Sequence, residues 1–222
     1  MAILVEEPYR CTFLHAPKTG GTSVNRWLQT NFTVEERSRA QDDLPLNIRP
    51  LKLVHAPFPL AEYHLNYDLG WTFSTVRNPW DWAVSWYTFR LKTVKARVES
   101  LRANPPPENV QARRKDFNLA FQEERLAVLN QGFEAWLRDP GTRIEQQVVW
   151  YGGADYVMRF ENLVEDFEEV QNRLQCFEPL KHLNKSRPAN TTYHSYYTSP
   201  DLVDLIAEKC DVDIALHNYT FE

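Results

Sequence analysis

Three signals follow one another without interruption near the start of this chain: a strand-forming run, a glycine pair and a helix opened by hydroxyl residues. Residues 10–15 (Arg-Cys-Thr-Phe-Leu-His) read as a short buried strand and Pro17 to Gly21 as a turn. Thr22 to Phe32 read as a helix, with Val24, Trp27, Leu28 and Phe32 near helical spacing. A strand running through a tight loop into a helix constrains the chain to an α/β architecture. The same loop suits an oxyanion. Gly20 and Gly21 allow left-handed backbone and close approach. The helix start offers unpaired N–H groups and a positive dipole end. Thr22 and Ser23 add hydroxyl donors, and Lys18 adds a full charge. A terminal phosphate or sulfate fits these donors; the plainer alternative is an ordinary strand–helix turn with Lys18 on the surface.

The rest of the chain extends the pattern. Residues 51–55 are a second strand candidate, stopped before Pro57, and residues 71–77 a third. Asn78-Pro79 then reads as an N-cap followed by proline at the first helical position, opening a helix into the 90s. Pro105-Pro106-Pro107 is a break that no helix crosses. Helix is expected over 115–139, strand over 155–160, and helix over 161–177 with Leu163, Phe167, Val170 and Leu174 buried. A polar loop over 178–198 precedes a last helix beginning at Ser199-Pro200. Strands followed by helices imply right-handed crossovers and a central, mostly parallel sheet flanked by helices. Residues 1–222 are expected to form a single domain, with a helical elaboration about 97–150.

The loop departs from the Walker A pattern, in which lysine directly follows the last glycine. Here Thr22 follows Gly21, and Lys18 precedes both glycines. The third strand ends in Arg77 and not in an aspartate that could hold Mg²⁺. A P-loop nucleotide kinase or NTPase is therefore the disfavoured alternative. His15-x-Pro17-Lys18-Thr19-Gly20-Gly21-Thr22-Ser23 resembles the 5′-phosphosulfate loop of sulfotransferases, closest to their carbohydrate (Golgi-type) branch and its bacterial relatives. Arg77-Asn78-Pro79, with Ser85 eight residues after Arg77, is similar to that family's 3′-phosphate motif. Arg159-Phe160-Glu161-Asn162-Leu163 and His182-Leu183-Asn184-Lys185-Ser186 are weaker likenesses to its later junction and closing loop.

The resemblance implies a P-loop-like three-layer fold. It also implies a transferase moving a sulfuryl group from 3′-phosphoadenosine 5′-phosphosulfate (PAPS) to an acceptor hydroxyl on a carbohydrate. Residues 17–23 would hold the phosphosulfate, Arg77 and Ser85 the 3′-phosphate, and Lys185 and Arg187 would cover the phosphates. Lys18 would stabilise charge on the departing phosphate, and no metal would be required. Arg77 in a structural salt bridge, and Lys185 as a solvated loop charge, remain open alternatives. A protein that binds the nucleotide or sulfate without catalysis is the other-class alternative.

The acceptor proton needs a base. His55, at the end of the second strand candidate, is the first choice, because parallel strands direct their ends to one crevice. His64 is the second choice and a carboxylate the third, while His15 is expected to shape the loop. Residues 90–115 hold eight basic and two acidic side chains, so the remaining chain sums to −11 against a total of −5. This segment could attract an acidic acceptor or simply be a solvated helix face. With 30 acidic against 25 basic residues overall, nucleic acid is not an expected partner. Three scattered cysteines form no zinc pattern and suit a reducing compartment. No run reaches membrane-span length and Ala2-Ile3-Leu4-Val5 is too short for a leader, so the expected location is the cytoplasm.

Overall fold

A computed structural model describes residues 2–6, 8–36, 69–181 and 191–222. The strand candidate at 51–55, His55, His64, Lys185 and Arg187 lie outside the described residues. The elements, in chain order, are β1 (Ala2–Val5), β2 (Cys11–Leu14), α1 (Gly21–Asn31), β3 (Val34–Glu36), β4 (Trp71–Val76), α2 (Pro79–Ala103), α3 (Glu108–Arg113), α4 (Leu119–Asn130), α5 (Phe133–Arg138), α6 (Val148–Tyr151), β5 (Tyr156–Arg159), α7 (Leu163–Leu174), α8 (Pro200–Lys209) and α9 (Asp211–His217). Short 3₁₀ turns occupy Lys115–Phe117, Phe160–Asn162 and Tyr193–Tyr196. No helix among the described residues is long and apolar enough to cross a membrane.

The chain divides into two compact units, the first comprising Met1–Asn78, Glu145–Lys185 and Cys210–Thr220. It holds a five-stranded sheet ordered β3-β1-β2-β4-β5. β2, β4 and β5 run parallel, with Phe13 opposite Phe73 and Phe73 opposite Tyr156. β1 is antiparallel to both β2 and β3, so the sheet is mixed and its parallel part is confined to three strands. Alternation along the strands turns Cys11, Phe13, Phe73 and Met158 to one face, where they join a common core. α1 adds Val24, Trp27 and Leu28 to that core, and α7 adds Leu163, Phe167, Val170 and Leu174 at helical spacing. Trp27 meets Phe167 edge-on at 4.8 Å between centroids. Phe167 is fully buried, so truncating it to alanine would cost about 3–5 kcal/mol.

Three of the alternate positions, Thr12, Thr72 and Ser74, are polar and buried, and each hydroxyl has a partner. Thr12 donates to the Leu69 carbonyl and Ser74 to the Leu14 carbonyl, each at 2.6 Å. The Thr72 hydroxyl donates to the Asp155 carboxylate at 2.8 Å. A buried hydroxyl left without such a partner would cost about 1–3 kcal/mol.

The second unit comprises Pro79–Ile144, Ser186–Lys209 and Phe221–Glu222. α2 begins at Pro79 and ends before the proline run at 105–107, as proline geometry requires. The helix expected over 115–139 is broken in two places. Asn118 caps α4 by accepting from the Phe121 N–H at 3.0 Å, and Gly132 takes φ 115° between α4 and α5. A side chain at Gly132 would meet nothing within 4 Å, so its backbone conformation is what favours glycine there. Tyr87 donates to the Leu129 carbonyl at 3.1 Å and packs on Phe133 and Trp136, joining α2 to α4 and α5.

Candidate functional site

The three parallel strands end together, and the segments leaving them meet. After β2 comes the loop Ala16–Gly20; after β4, Arg77-Asn78; after β5, the 3₁₀ turn Phe160–Asn162. This is the edge at which open α/β sheets place ligands.

The loop is held from within. The Thr19 hydroxyl donates to the Ala16 carbonyl at 2.8 Å and lies 2.5 Å from the Thr75 hydroxyl. Thr19 spends its one proton on Ala16, so Thr75 is the donor in that pair. The Thr19 side chain is fully buried and braces the loop on β4. Lys18 adopts φ 67° and Gly20 φ 88°, two left-handed residues that reverse the chain into α1. A Cβ on Gly20 would lie 2.9 Å from both Leu163 and Phe160. A Cβ on Gly21 would lie 2.2 Å from the His15 ring. His15 is itself buried, with Nδ1 3.0 Å from the Asn25 amide nitrogen. Taken as donor, that amide makes Nδ1 the acceptor and puts the ring proton on Nε2. Both glycines are therefore fixed by close neighbours.

α1 opens at Gly21 with no side-chain cap, and its first-turn contact is Ser23 N–H donating to the Gly20 carbonyl at 2.9 Å. Thr22 is exposed and Ser23 buried. The N–H groups at this end carry the positive pole of an eleven-residue helix.

Arg77 crosses to this loop. Its guanidinium donates from Nη1 to the Lys18 carbonyl at 3.1 Å and lies 4.1 Å over the Phe160 ring. Its backbone is gripped from both sides by one fully buried amide. Gln147 Oε1 accepts from the Arg77 N–H at 3.0 Å, and Gln147 Nε2 donates to the Arg77 carbonyl at 2.8 Å. Asp213 anchors that amide's own backbone, accepting from the Gln147 N–H, from the Val148 N–H at 2.8 Å and from the Tyr151 hydroxyl at 2.7 Å. Burial holds the Asp213 carboxyl above the usual range, and these donors oppose the shift. Asn78 is fixed in the same manner. Its N–H donates to Glu161 at 2.7 Å and its side-chain amide to the Thr220 carbonyl at 2.8 Å. Tyr219 donates to the other Glu161 oxygen at 3.1 Å.

Burial first, and the Arg77 charge second, push the Lys18 ammonium down to about 8. An oxyanion between these cations would relieve both penalties. Ser85 belongs to the second unit, on α2; it is fully buried, and its Oγ has no hydrogen-bond partner among the described residues. No group of three or more His, Cys, Asp or Glu suited to a metal occurs among the described residues.

Gln147 and Asp213 steady the Arg77 backbone, yet neither carried a local signal for that role. Gln147 and Asp213 act through contacts 70 and 66 residues away along the chain. The motif Arg159–Leu163 did mark the junction that supplies Phe160 and Glu161. Comparison of the chain with protein-family models, with curated proteins and with solved structures finds no match.

Proposed function

We propose that the segment from Pro17 to Ser23 cradles the phosphosulfate of PAPS, and that the chain is a sulfotransferase acting on a carbohydrate hydroxyl. The sheet edge formed by β2, β4 and β5 would then be a P-loop-like nucleotide site. The observation that carries this reading is the Arg77 guanidinium bonded to the carbonyl of Lys18, whose ammonium is depressed by burial first and by the Arg77 charge second. Two cations brought to one glycine loop, beside a helix N-terminus, suit a ligand carrying several negative charges.

In the reaction the acceptor oxygen attacks sulfur in line, forming the new O–S bond. The bond from sulfur to the 5′-phosphate oxygen breaks, and its electron pair stays on that phosphate. Lys18 offsets the charge that grows there. The acceptor proton passes to a base, for which His55 remains the expectation from sequence. Arg77 is the proposed contact to the 3′-phosphate, and Lys185 and Arg187 remain expectations of the motif.

The test is calorimetry with 3′-phosphoadenosine 5′-phosphate and AMP, followed by turnover of PAPS on a panel of saccharide acceptors with EDTA present. Tighter binding of the bisphosphate, lost in Arg77→Ala, and metal-independent turnover support the reading. Equal affinities would remove the 3′-phosphate assignment. A requirement for ATP and Mg²⁺ would mark a kinase, and PAPS binding without turnover would mark a non-catalytic binder.

A further inference from the structure

The second unit carries a group of cations that its own acids do not neutralise. Trp86 and Arg90 lie one turn apart on α2, with the guanidinium 4.8 Å over the indole. Phe121 and Arg125 repeat this spacing on α4, at 5.6 Å. α2 and α4 pack along their lengths, and Arg90 and Arg125 lie close enough to interact. Both residues are half-buried. Neither makes a hydrogen bond or an ion pair with any described residue, whereas Arg102 and Arg138 are paired with Glu123 and Glu134. Burial lowers the Arg90 pKa and Arg125 lowers it further, while the exposed Asp116 offsets part of this without pairing with Arg90. Lys115 shares the Phe121 ring with Arg125, at 5.2 Å, and adds another positive charge.

Half-buried guanidiniums normally have carboxylate partners, because partial dehydration of an unpaired charge is unfavourable. Here the places of such partners are taken by aromatic rings, which hold the cations and satisfy no N–H donor. Arginine forks match the oxygens of a tetrahedral anion.

We propose that Arg90 and Arg125 form a binding site for a phosphate or sulfate group, with Trp86 and Phe121 as the walls that hold the two forks in place. The site lies wholly within the helical unit, on residues distinct from the loop 16–23, and does not depend on the proposed transferase activity. Its ligand is a small soluble oxyanion or an ester carrying one.

The experiment uses the full chain with arginine side chains labelled with ¹⁵N, titrated with inorganic sulfate and, separately, inorganic phosphate at constant ionic strength. Saturable shifts of the Arg90 and Arg125 Nε–H signals are expected, and Arg138 should not follow them. Backbone signals of Gly20 to Thr22 report the loop independently. Arg125→Gln should weaken the Arg90 response by about tenfold, as should Arg90→Gln the Arg125 response. Arg97→Gln, on the same helix as Arg90, should leave both within about twofold if recognition is by the paired forks and not by general screening. Non-saturating shifts, or an Arg97→Gln effect equal to that of Arg125→Gln, would overturn the site. Circular dichroism melts of each variant accompany the titration. If one glutamine variant unfolds, the saturation behaviour of the wild-type Arg90 and Arg125 signals still decides the matter.

Discussion

The Arg77 guanidinium donates to the Lys18 carbonyl at 3.1 Å, so the residue that follows β4 fixes the loop that follows β2. The contact brings the Arg77 charge to Lys18, whose ammonium sits at about 8, far below an unburied lysine. Sulfate affinity of the loop should therefore fall as pH rises through about 8. Sulfate keeps one charge state across this range, so the change reports the protein. A flat affinity up to pH ~10, the ordinary lysine range, would take Lys18 out of the site.

The same shift has a consequence for stability. The unfolded chain binds the Lys18 proton more tightly than the folded one. Between about 8 and the ordinary lysine value, stability from this group rises with pH, because the folded form has shed a proton the unfolded form retains. Lys18→Met should remove this rise and leave the ligand-free melting temperature at pH 7 equal or higher. Turnover of PAPS should fall by about 10²–10³. Thermal melts and initial rates on one preparation separate the effects; a large loss of stability would mean that the ammonium braces the fold.

Gly21 offers a steric test. Its missing Cβ is the space that the His15 ring fills, at 2.2 Å. Gly21→Ala should destabilise by about 1–3 kcal/mol in urea titrations. His15→Ala in the same chain should recover much of that loss, because neighbours that share one space are not additive. Additive losses would mean that the two residues do not compete.

Asp213→Asn keeps the size of the side chain but puts an amide N–H among three donors. A cost of about 2–4 kcal/mol is expected from the broken buried bonds. Anion affinity at the loop should also drop, because Gln147 no longer steadies the Arg77 backbone, and the Tyr151→Phe variant should show a milder form of both. Loss of stability with unchanged sulfate affinity would confine Asp213 to a structural role.

Ser85→Ala removes a buried hydroxyl that has no partner among the described residues. The variant should be as stable as the parent or slightly more so. Its preference for 3′-phosphoadenosine 5′-phosphate over AMP should shrink by about tenfold or more, the worth of one hydrogen bond to a charged group. An unchanged preference would remove Ser85 from the assignment.

The parts legible in the sequence were those whose cause is local. Pro79 after Asn78, Pro200 after Ser199 and the stripe from Leu163 to Leu174 each carry their own signal, and α2, α8 and α7 begin or run where those signals place them. The strand expected at 155–160 is β5 at Tyr156–Arg159. β1 was read only as an apolar run, because four residues show too little alternation, and β3 carries two glutamates in three residues. Both are strands because β1 pairs with β2 and β3 pairs with β1. The break at Gly132 was missed because the apolar spacing continues on either side of it. Lys18 and Arg77 were visible as site candidates through their charge and motif. Gln147 and Asp213 were not, since an interior glutamine and a helix-start aspartate look the same whatever they touch.

The bond from the Asn78 amide to the Thr220 carbonyl joins positions 142 residues apart in the chain. During synthesis, β2, α1 and β4 all leave the ribosome well before the residues that steady the loop between them. A nascent chain can pair those strands early and still lack Asp213 and Thr220, so its Arg77 stays loosely held. The full restraint of Arg77 is thus gained late, when the α9 segment docks. A ribosome-bound chain stalled before residue 210 should carry a formed sheet and an idle loop.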